Sequence, residues 1–348
     1  MKNILKKAVW FVVFIALVVL TMNVIVKQNA SFSIEKFIDF IGQGSWPWFV
    51  LAFISMLGFI VFEALAIRII CKIFGYKPKF GQSLVYSSTD LYFSAVTPSA
   101  TGGQPASAYF MLKDKIPGAV TTIVLLINLT LYTISIIVIG GICLITRPDI
   151  FANLGAVSQI MFVVGFVVQF VLIGLFLMLV YKEKIVMKVA DVIMRFLNKL
   201  HLMKNIDKKR EKLKRTEQQY KDCAAAILQH KRRLAVAFLM NLLQRLSQIF
   251  VSVFVFIGIG GATDKIYQVF ATQGYVVMGS NSLPIPGAVG AADYLFFDGF
   301  SQIIKDESVL TNLELLSRGI SFYCLVIICG IATLGIYAYH GLKGMKKQ

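Results

Sequence analysis

Apolar segments of about 20 residues recur along the whole chain, and they restrict the folds open to it. These segments cover residues 8–26, 47–70, 118–145, 157–181, 234–260 and 317–340. A helix of about 20 apolar residues spans the hydrocarbon core of a bilayer. Apolar residues make up 57% of the chain and charged residues only 15%, which is too little polar surface for a soluble globule. The sequence therefore predicts an all-α polytopic membrane protein.

Two stretches contain helix breakers and polar groups where a membrane span would otherwise continue. They are Thr-Pro-Ser-Ala-Thr-Gly-Gly-Gln-Pro at 97–105 and Pro-Ile-Pro-Gly-Ala-Val-Gly at 284–290. In lipid every backbone N–H and C=O needs a partner, so a broken helix is tolerated only where protein buries it or it lines a wet cavity. One break in each half of the chain is typical of transporter binding sites. We predict that each break is the tip of a re-entrant helical hairpin.

The distribution of positive charge predicts the topology. Residues 182–233 contain 16 basic and 6 acidic residues, and both ends of the chain are basic. The positive-inside rule assigns this loop and both termini to the cytoplasm. The first break is then approached from the cytoplasm and the second from the exterior, which predicts an inverted repeat of residues 1–150 and 151–348 within one membrane domain, 1–348. A re-entrant hairpin and two short spans have similar hydropathy, so the sequence allows about six to ten membrane crossings.

The formal net charge of the chain is +17, and much of it lies in the basic loop 182–233. In a soluble protein this charge would suggest a nucleic-acid partner. Beside a membrane, the nearest anions are the lipid headgroups of the inner leaflet. We therefore expect the loop to contact anionic headgroups and expect no nucleic-acid partner. The alternative is that the charge only sets the topology.

Arg245 is the main candidate for binding a substrate, because it lies near the middle of the apolar segment 234–260. Charges within a membrane span are costly and usually functional. Asn241, Gln244, Arg245 and Gln248 occupy positions i, i+3, i+4 and i+7, so they share one helix face. A planar guanidinium suits bidentate binding of a phosphate, the group that phospholipids and polyprenyl phosphates share. The alternative is a structural ion pair with Glu63.

The other candidates for substrate binding are carboxylates and the residues of the two breaks. The carboxylates are Glu63, Asp90 and Asp293, and the break residues are Thr97, Pro98, Thr101, Gly102, Gly103, Gln104, Pro286, Gly287 and Gly290. Glycine permits close backbone approach and proline interrupts the helix ladder, so N–H groups at the ends of half-helices can face an anion. The alternatives are helix pairing through the carboxylates and helix packing through the small residues.

Signatures of enzymes and metal sites are missing from the sequence. It contains no phosphate-binding Walker loop, no Gly-x-Ser-x-Gly elbow and no pair of carboxylates beside a histidine. The five cysteines are odd in number and lack metal-ligand spacing, so they predict neither a disulfide framework nor a zinc site. We expect a transporter that uses no catalytic residue, cofactor or metal.

The two breaks also carry a family resemblance. The stretch 97–105 followed by Tyr109, together with 284–293, resembles the lysylphosphatidylglycerol synthase transmembrane (flippase) family, the membrane half of the multiple peptide resistance factor. The resemblance covers essentially the whole chain. It implies a multi-pass protein of a bacterial or archaeal cytoplasmic membrane. It further implies movement of aminoacylated phosphatidylglycerol to the outer leaflet, which lowers sensitivity to cationic antimicrobial peptides.

The chain departs from this family pattern in two respects. The second motif of the family usually has a further Gly and a Glu where this chain has Ala288 and Asp293. The shorter carboxylate either keeps the same role with altered reach or marks a different substrate. The aminoacyl-transferase module that follows the membrane half in the full-length factor is not found in this sequence, so we expect no aminoacyl transfer from these residues.

The sequence therefore supports several functions. The leading hypothesis is a lipid translocase for an anionic or aminoacylated phospholipid such as lysyl-phosphatidylglycerol. The alternatives are a polyprenyl-phosphate carrier, a phosphatidylglycerol lysyltransferase, as the family name implies, and a membrane protein that recruits partners through its basic loop. The identity of the lipid, the direction, the energy source and the oligomeric state are not determined by the sequence.

Overall fold

The computed structural model describes residues 34–97, 100–181, 226–227, 229–283, 285–288 and 290–345. All regular secondary structure in these residues is helical, which confirms the predicted all-α fold class. The predicted first span, 8–26, and most of the basic loop 182–233 lie outside the described residues.

The first half of the chain contains five described helices. They are α1 (Ile34–Gln43), α2 (Trp46–Ile73), α3 (Phe80–Val96), α4 (Gly103–Lys113) and α5 (Gly118–Thr146). Pro47 lies in the first turn of α2 and Pro117 immediately precedes α5. Proline suits these positions because its fixed φ matches a helix and its missing N–H would have no helical partner there. Helices α3 and α4 pack against each other and form hairpin 1, residues 80–113.

The second half follows a similar order. After the short helix α6 (Pro148–Ala152) come α7 (Ala156–Tyr181), α8 (Lys231–Gly258), α9 (Ile266–Ser280) and α10 (Ala291–Phe300). Helices α9 and α10 form hairpin 2, residues 266–300. The chain continues through α11 (Glu307–Arg318), a π-helical segment (Gly319–Cys324) and α12 (Leu325–Met345). Asp306 caps α11 by accepting hydrogen bonds from the N–H groups of Ser308 and Val309, at 2.8 and 3.1 Å.

Several of these helices are long and apolar enough to cross a membrane. Among the described residues there are five, at Trp46–Ile73, Gly118–Thr146, Ala156–Met178, Lys231–Gly258 and Glu307–Ile336. The chain is therefore a polytopic membrane protein. Most side chains of α7 are exposed, whereas those of α5 are mostly buried between other helices. We interpret α7 as a lipid-facing span at the edge of the bundle, because in a membrane exposed apolar surface is covered by lipid.

Contacts between the two halves form the centre of the molecule. Helices α2 and α8 pack along their whole length, and the Ser55 hydroxyl donates a hydrogen bond to the backbone oxygen of Ser247 at 2.9 Å. Hairpin 1 packs against α12, and hairpin 2 packs against α5. Each hairpin thus contacts the last span of the other half. The inverted repeat, its boundary at residue 150, the re-entrant character of the hairpins and the orientation of each half in a bilayer stay predictions.

Both hairpin tips contain backbone in the left-handed region. The φ angle is +53° at Ala100 in hairpin 1, and +59° at Gly287 and +51° at Ala288 in hairpin 2. An alanine in this region costs about 1–3 kcal/mol, and such strain concentrates at functional sites. Because both tips contain a strained alanine, both are candidates for part of a functional site.

Candidate functional site

A cavity of about 470 Å³ lies between the two hairpin tips. Its wall includes Ala100 from hairpin 1, and Gly287 and Ala288 from hairpin 2. Helices α2, α5, α7, α8, α11 and α12 also contribute to the wall, and two arginines, Arg245 and Arg318, line it. Ligand sites in proteins are usually cavities of about 300–1,000 Å³ with a few convergent polar groups. This cavity is therefore the candidate binding site.

Arg245 lines the cavity and has hydrogen-bond donors without a partner. The residue is only 2% exposed, and its guanidinium carbon lies 4.3 Å from the centre of the Tyr132 ring and 5.7 Å from that of Phe59. Its Nη1 donates to the side-chain oxygen of Gln248. Its Nε and Nη2 are buried and have no partner. Unsatisfied buried donors are rare in native proteins, so these two N–H groups point to a missing acceptor.

The structural alternative for Arg245 was an ion pair with Glu63. Among the described residues, the ion pairs with nitrogen and oxygen within 4 Å are Arg147 with Asp149 and Arg318 with Asp293. Arg245 and Glu63 attract each other only over a longer distance. The guanidinium of Arg245 thus keeps its free donors for another ligand.

The amides that share the helix face of Arg245 divide into two groups. Gln248 lines the cavity beside Arg245. Asn241 instead donates to the side-chain oxygen of Asn128 at 3.2 Å, and Gln244 donates to Glu63 at 3.2 Å. Both are buried in the contacts of α8 with α5 and α2. The helical spacing identified one polar face, but only part of that face reaches the cavity.

Glu63 and Asp90 lie next to each other behind the cavity. Each is 4% exposed, and their carboxyl groups are close enough to interact. Glu63 accepts hydrogen bonds from Ser87 and Gln244, both at 3.2 Å. We call Glu63 and Asp90 the carboxyl pair.

The first break folds around Asp90. Its carboxylate accepts from Ser94 at 3.1 Å and from the Gln104 side chain at 2.7 Å, so it links the two arms of hairpin 1. Thr97 ends α3, and its hydroxyl oxygen accepts the N–H of Gly102 at 2.9 Å. Gly103 is buried directly against Asp90 and Ser94, where a Cβ would collide with both.

The remaining residues predicted for the first break are either exposed or outside the described residues. Thr101 is exposed beside the tip, and Pro98 lies outside the described residues. Among the described residues, none of the polar residues predicted for this break lines the cavity itself, where Leu91, Ser94, Ala95 and Ala100 represent hairpin 1. Of the polar residues expected to line the cavity, Gln104 is instead turned toward Asp90 and Thr97 is bonded within the break.

The second break is held by Arg318, which the sequence analysis missed. Its Nη1 lies 2.7 Å from the Asp293 carboxylate, and its Nη2 donates to the backbone oxygen of Gly287 at 3.1 Å. The other oxygen of Asp293 accepts the N–H of Gly290 at 2.8 Å. Gly287 has a positive φ and packs against Phe322, and Pro286 forms a 3-10 turn with it. Arg318 therefore ties α11 to the tip of hairpin 2.

Glu314 is a second residue that sequence reasoning missed. It lies one helical turn before Arg318, is 3% exposed and lines the cavity. Within the described parts of the chain, no cation lies within ion-pair distance of it. The available signal was the Glu-x-x-x-Arg spacing at the start of the last apolar segment. Arginine at the end of a span usually reaches toward the headgroups, which is why this pattern did not stand out.

Comparison with known proteins agrees with the resemblance of the motifs. A family model described as the lysylphosphatidylglycerol synthase TM region matches residues 8–329. No curated protein and no solved structure shows a significant match to the chain. The matched region contains both hairpins and both cavity arginines. Because the match extends over most of the sequence, the chain belongs to the family of lysylphosphatidylglycerol synthase transmembrane regions.

Proposed function

We propose that the protein is a lipid translocase that moves an anionic or aminoacylated phospholipid, such as lysyl-phosphatidylglycerol, between the leaflets of a bacterial cytoplasmic membrane. The observation that carries the proposal is the pair of unpartnered N–H groups of Arg245, a residue that lines the cavity between the hairpin tips. A phosphate oxygen is the acceptor that a guanidinium binds best, through two parallel hydrogen bonds. The phospholipids of the surrounding membrane carry this phosphate group.

The surroundings of Arg245 support recognition of a phosphate. Its guanidinium is stacked on Tyr132 and bonded to Gln248, so its orientation is fixed before a ligand binds. A preorganised donor loses little conformational entropy on binding. Burial also strengthens each charge-assisted hydrogen bond relative to the same bond in water. An anionic headgroup would therefore be bound here despite the apolar walls.

Glu314 supports a headgroup that also carries an amine. Its buried carboxyl lines the same cavity as Arg245, and no lysine or arginine of the described residues pairs with it. Arg318 interacts with Glu314 but is already paired with Asp293, so two buried carboxyl groups share one arginine. An ammonium group would balance the second of these carboxyl groups. A headgroup with both phosphate and amine would satisfy both residues. Aminoacylated phosphatidylglycerol has this chemistry, whereas a polyprenyl phosphate has only the phosphate.

The two hairpins suggest how the site would be exposed to each leaflet. Each hairpin tip borders the cavity, and each hairpin contacts the last span of the other half. Rocking of one half against the other would open the cavity at one side and close it at the opposite side, as in alternating-access carriers. The basic loop would contact anionic headgroups of the inner leaflet, with both termini in the cytoplasm.

Lipid exchange in proteoliposomes tests the proposal. Headgroup-labelled phosphatidylglycerol, lysyl-phosphatidylglycerol and undecaprenyl phosphate are compared, each with the unmodified protein, Arg245→Ala and Arg232→Ala. Arg232 is an exposed arginine on the same helix and is the matched control. A lost charged hydrogen bond costs about 1.5–3 kcal/mol, so Arg245→Ala should slow exchange by about 10- to 100-fold. Arg232→Ala should exchange at the unmodified rate.

The lipid that exchanges fastest identifies the substrate class. Fast exchange of undecaprenyl phosphate alone would favour a polyprenyl-phosphate carrier. Exchange that is equally fast in Arg245→Ala would remove Arg245 from the site. A folded protein that exchanges none of the three lipids would contradict translocation.

A further inference from the structure

The carboxyl pair is a second polar centre, separate from the wall of the cavity. Glu63 comes from α2 and Asp90 from α3, and neither lines the cavity. Their hydrogen-bond donors are neutral: Ser87 and Gln244 for Glu63, and Ser94 and Gln104 for Asp90. Neutral donors stabilise one buried carboxylate but do not balance the charge of two.

Among the residues that the structure describes, two other groups near the carboxyl pair can carry charge. Arg245 approaches from α8 and the Cys329 thiol from α12, and both interact electrostatically with Glu63. From the described part of its second arm, hairpin 1 contributes the neutral side chain of Gln104. When the carboxyl pair holds one proton, it carries one negative charge. Arg245 balances that charge. Two adjacent carboxyl groups share protons as a unit.

Gln244 supplies an independent sign that a proton binds here. Its Nε2 donates to Glu63, while its Oε1 is buried and has no donor. The amide is 1% exposed, so water does not satisfy this oxygen from the surface. A protonated carboxyl group is a hydrogen-bond donor. Protonation of Glu63 would add a donor to the carboxyl group that the Gln244 amide already contacts.

Arg245 connects the carboxyl pair to the cavity. Its open Nε and Nη2 belong to the same guanidinium that attracts Glu63. An anion that binds these nitrogens neutralises the charge that had balanced the carboxyl pair. The pair is then left with one uncompensated negative charge in a low-dielectric environment. A second proton, taken from bulk water, restores neutrality.

We propose that binding of an anionic headgroup at Arg245 is coupled to uptake of about one proton by the Glu63–Asp90 pair, so that lipid and proton move together. The inference rests on the proposed translocase and supplies its energy source, a proton gradient. The proton adds to a carboxylate oxygen and is released when the lipid leaves. Linkage is reciprocal, so a proton on the pair strengthens headgroup binding by the same factor.

Hairpin 1 provides the mechanical link. The carboxylate of Asp90 accepts the Gln104 side chain at 2.7 Å and so holds the two arms of hairpin 1 together. Hydrogen bonds to a charged acceptor are roughly twice as strong as bonds between neutral groups. Protonation of Asp90 weakens this bond between the arms. The proton therefore acts on the tip that closes one side of the cavity.

Calorimetry measures the coupling without transport. Short-chain phosphatidylglycerol is titrated at pH 7 into the purified protein in uncharged detergent, once in HEPES and once in Tris buffer. Because the two buffers differ in ionisation enthalpy, the difference in heat gives the number of protons taken up. We expect about one proton per lipid for the unmodified protein and about none for Glu63→Gln or Asp90→Asn. Glu307→Gln, the same change at an exposed carboxylate, should keep the uptake of about one proton per lipid.

The unmodified protein alone decides the calorimetric test, so the outcome does not depend on the folding of a variant. Binding of the lipid without proton uptake would overturn the coupling and leave the translocase proposal intact. Failure to bind the lipid would overturn both.

Proteoliposomes with a pH gradient measure coupled movement. The probe is a trace of headgroup-labelled phosphatidylglycerol, read by its final ratio between the two leaflets. With one proton per lipid, a gradient of one pH unit should enrich the lipid up to about tenfold in the leaflet on the alkaline side. Glu63→Gln should lose this enrichment, and Glu307→Gln should keep it. Equal final amounts of the labelled lipid in the two leaflets, despite the gradient, would overturn the coupling. Absence of any exchange would overturn the translocase proposal as well.

Discussion

Arg245 and Arg318 line the same cavity but have different bonding partners. Arg318 is bonded to Asp293 and to the backbone of Gly287 and has a structural role at the tip of hairpin 2. Arg245 makes one hydrogen bond to Gln248 and leaves two nitrogens open. Buried charges are tolerated when they are paired, so the open arginine is the one assigned to the ligand.

The ion pair of Arg318 with Asp293 is expected to contribute strongly to stability. Asp293→Asn keeps an acceptor for the N–H of Gly290 but leaves Arg318 as an unpaired buried charge. We expect a loss of about 3–5 kcal/mol in the free energy of unfolding. Asp149→Asn is the matched change in the exposed ion pair with Arg147, and we expect a loss below about 1 kcal/mol there. Unfolding in mixed detergent micelles measures both.

The exposed pair also has a predictable dependence on pH. The hydrogen bond from Arg147 lowers the pKa of Asp149 below its usual value. Its small contribution is therefore fully present above the unfolded pKa and is lost as the pH falls through the folded pKa. Equal losses from Asp293→Asn and Asp149→Asn at neutral pH would contradict the structural role of Arg318.

At the scale of the helices, the close packing of hairpin 1 is a sharp test of its geometry. A Cβ at Gly103 would lie 2.6 Å from the backbone oxygen of Asp90 and closer still to the side chains of Asp90 and Ser94. Gly103→Ala is expected to destabilise the protein by about 1–3 kcal/mol, since the hairpin arms must separate. Thermal unfolding in detergent measures the change.

Gly81 provides the matched control in the same hairpin. A Cβ there would have nothing within 4 Å. Gly81→Ala is expected to change stability by less than about 1 kcal/mol, because alanine is the better helix former. If both alanine variants unfolded at the same temperature, the close contact between α3 and α4 would be wrong.

The hairpin breaks were predictable from sequence, but their interior contacts were not. Proline and glycine at 97–105 and 284–290 interrupt helices through local backbone chemistry, which sequence alone reveals. The direction of a polar side chain depends instead on the helix opposite it. Asn241 and Gln244 share a face with Arg245, yet α5 and α2 supply partners that turn them away from the cavity.

Arg318 shows the same difficulty for a charged residue. From sequence it stands at the start of an apolar segment, where arginine commonly extends toward headgroups. The structure brings it against Asp293, which lies 25 positions earlier in the chain. Such a pairing follows from the packing of α11 on hairpin 2, and no local periodicity encodes it.

At the scale of the whole molecule, the predicted inversion of the two halves can be tested by labelling. The connection from α2 to hairpin 1 should face the cytoplasm, and that from α8 to hairpin 2 the exterior. Lys77 and Asp264 are exposed residues in these connections. In a variant whose five native cysteines are replaced by alanine, a membrane-impermeant maleimide should label Asp264→Cys in intact cells. It should label Lys77→Cys only after permeabilisation, and labelling of both in intact cells would contradict the inverted repeat.

The π-helical segment Gly319–Cys324 joins α11 and α12 into one long span. A π-turn accommodates an additional residue, and each residue of an α-helix corresponds to a rotation of about 100°. With this turn, Arg318 lines the cavity while α12 packs against hairpin 1. A regular α-helix of the same sequence would rotate these two faces relative to each other, and only one would keep its partner. The π-helical turn thus sets the rotation of α12 relative to α11, so that one long helix contacts both the tip of hairpin 2 and the arms of hairpin 1.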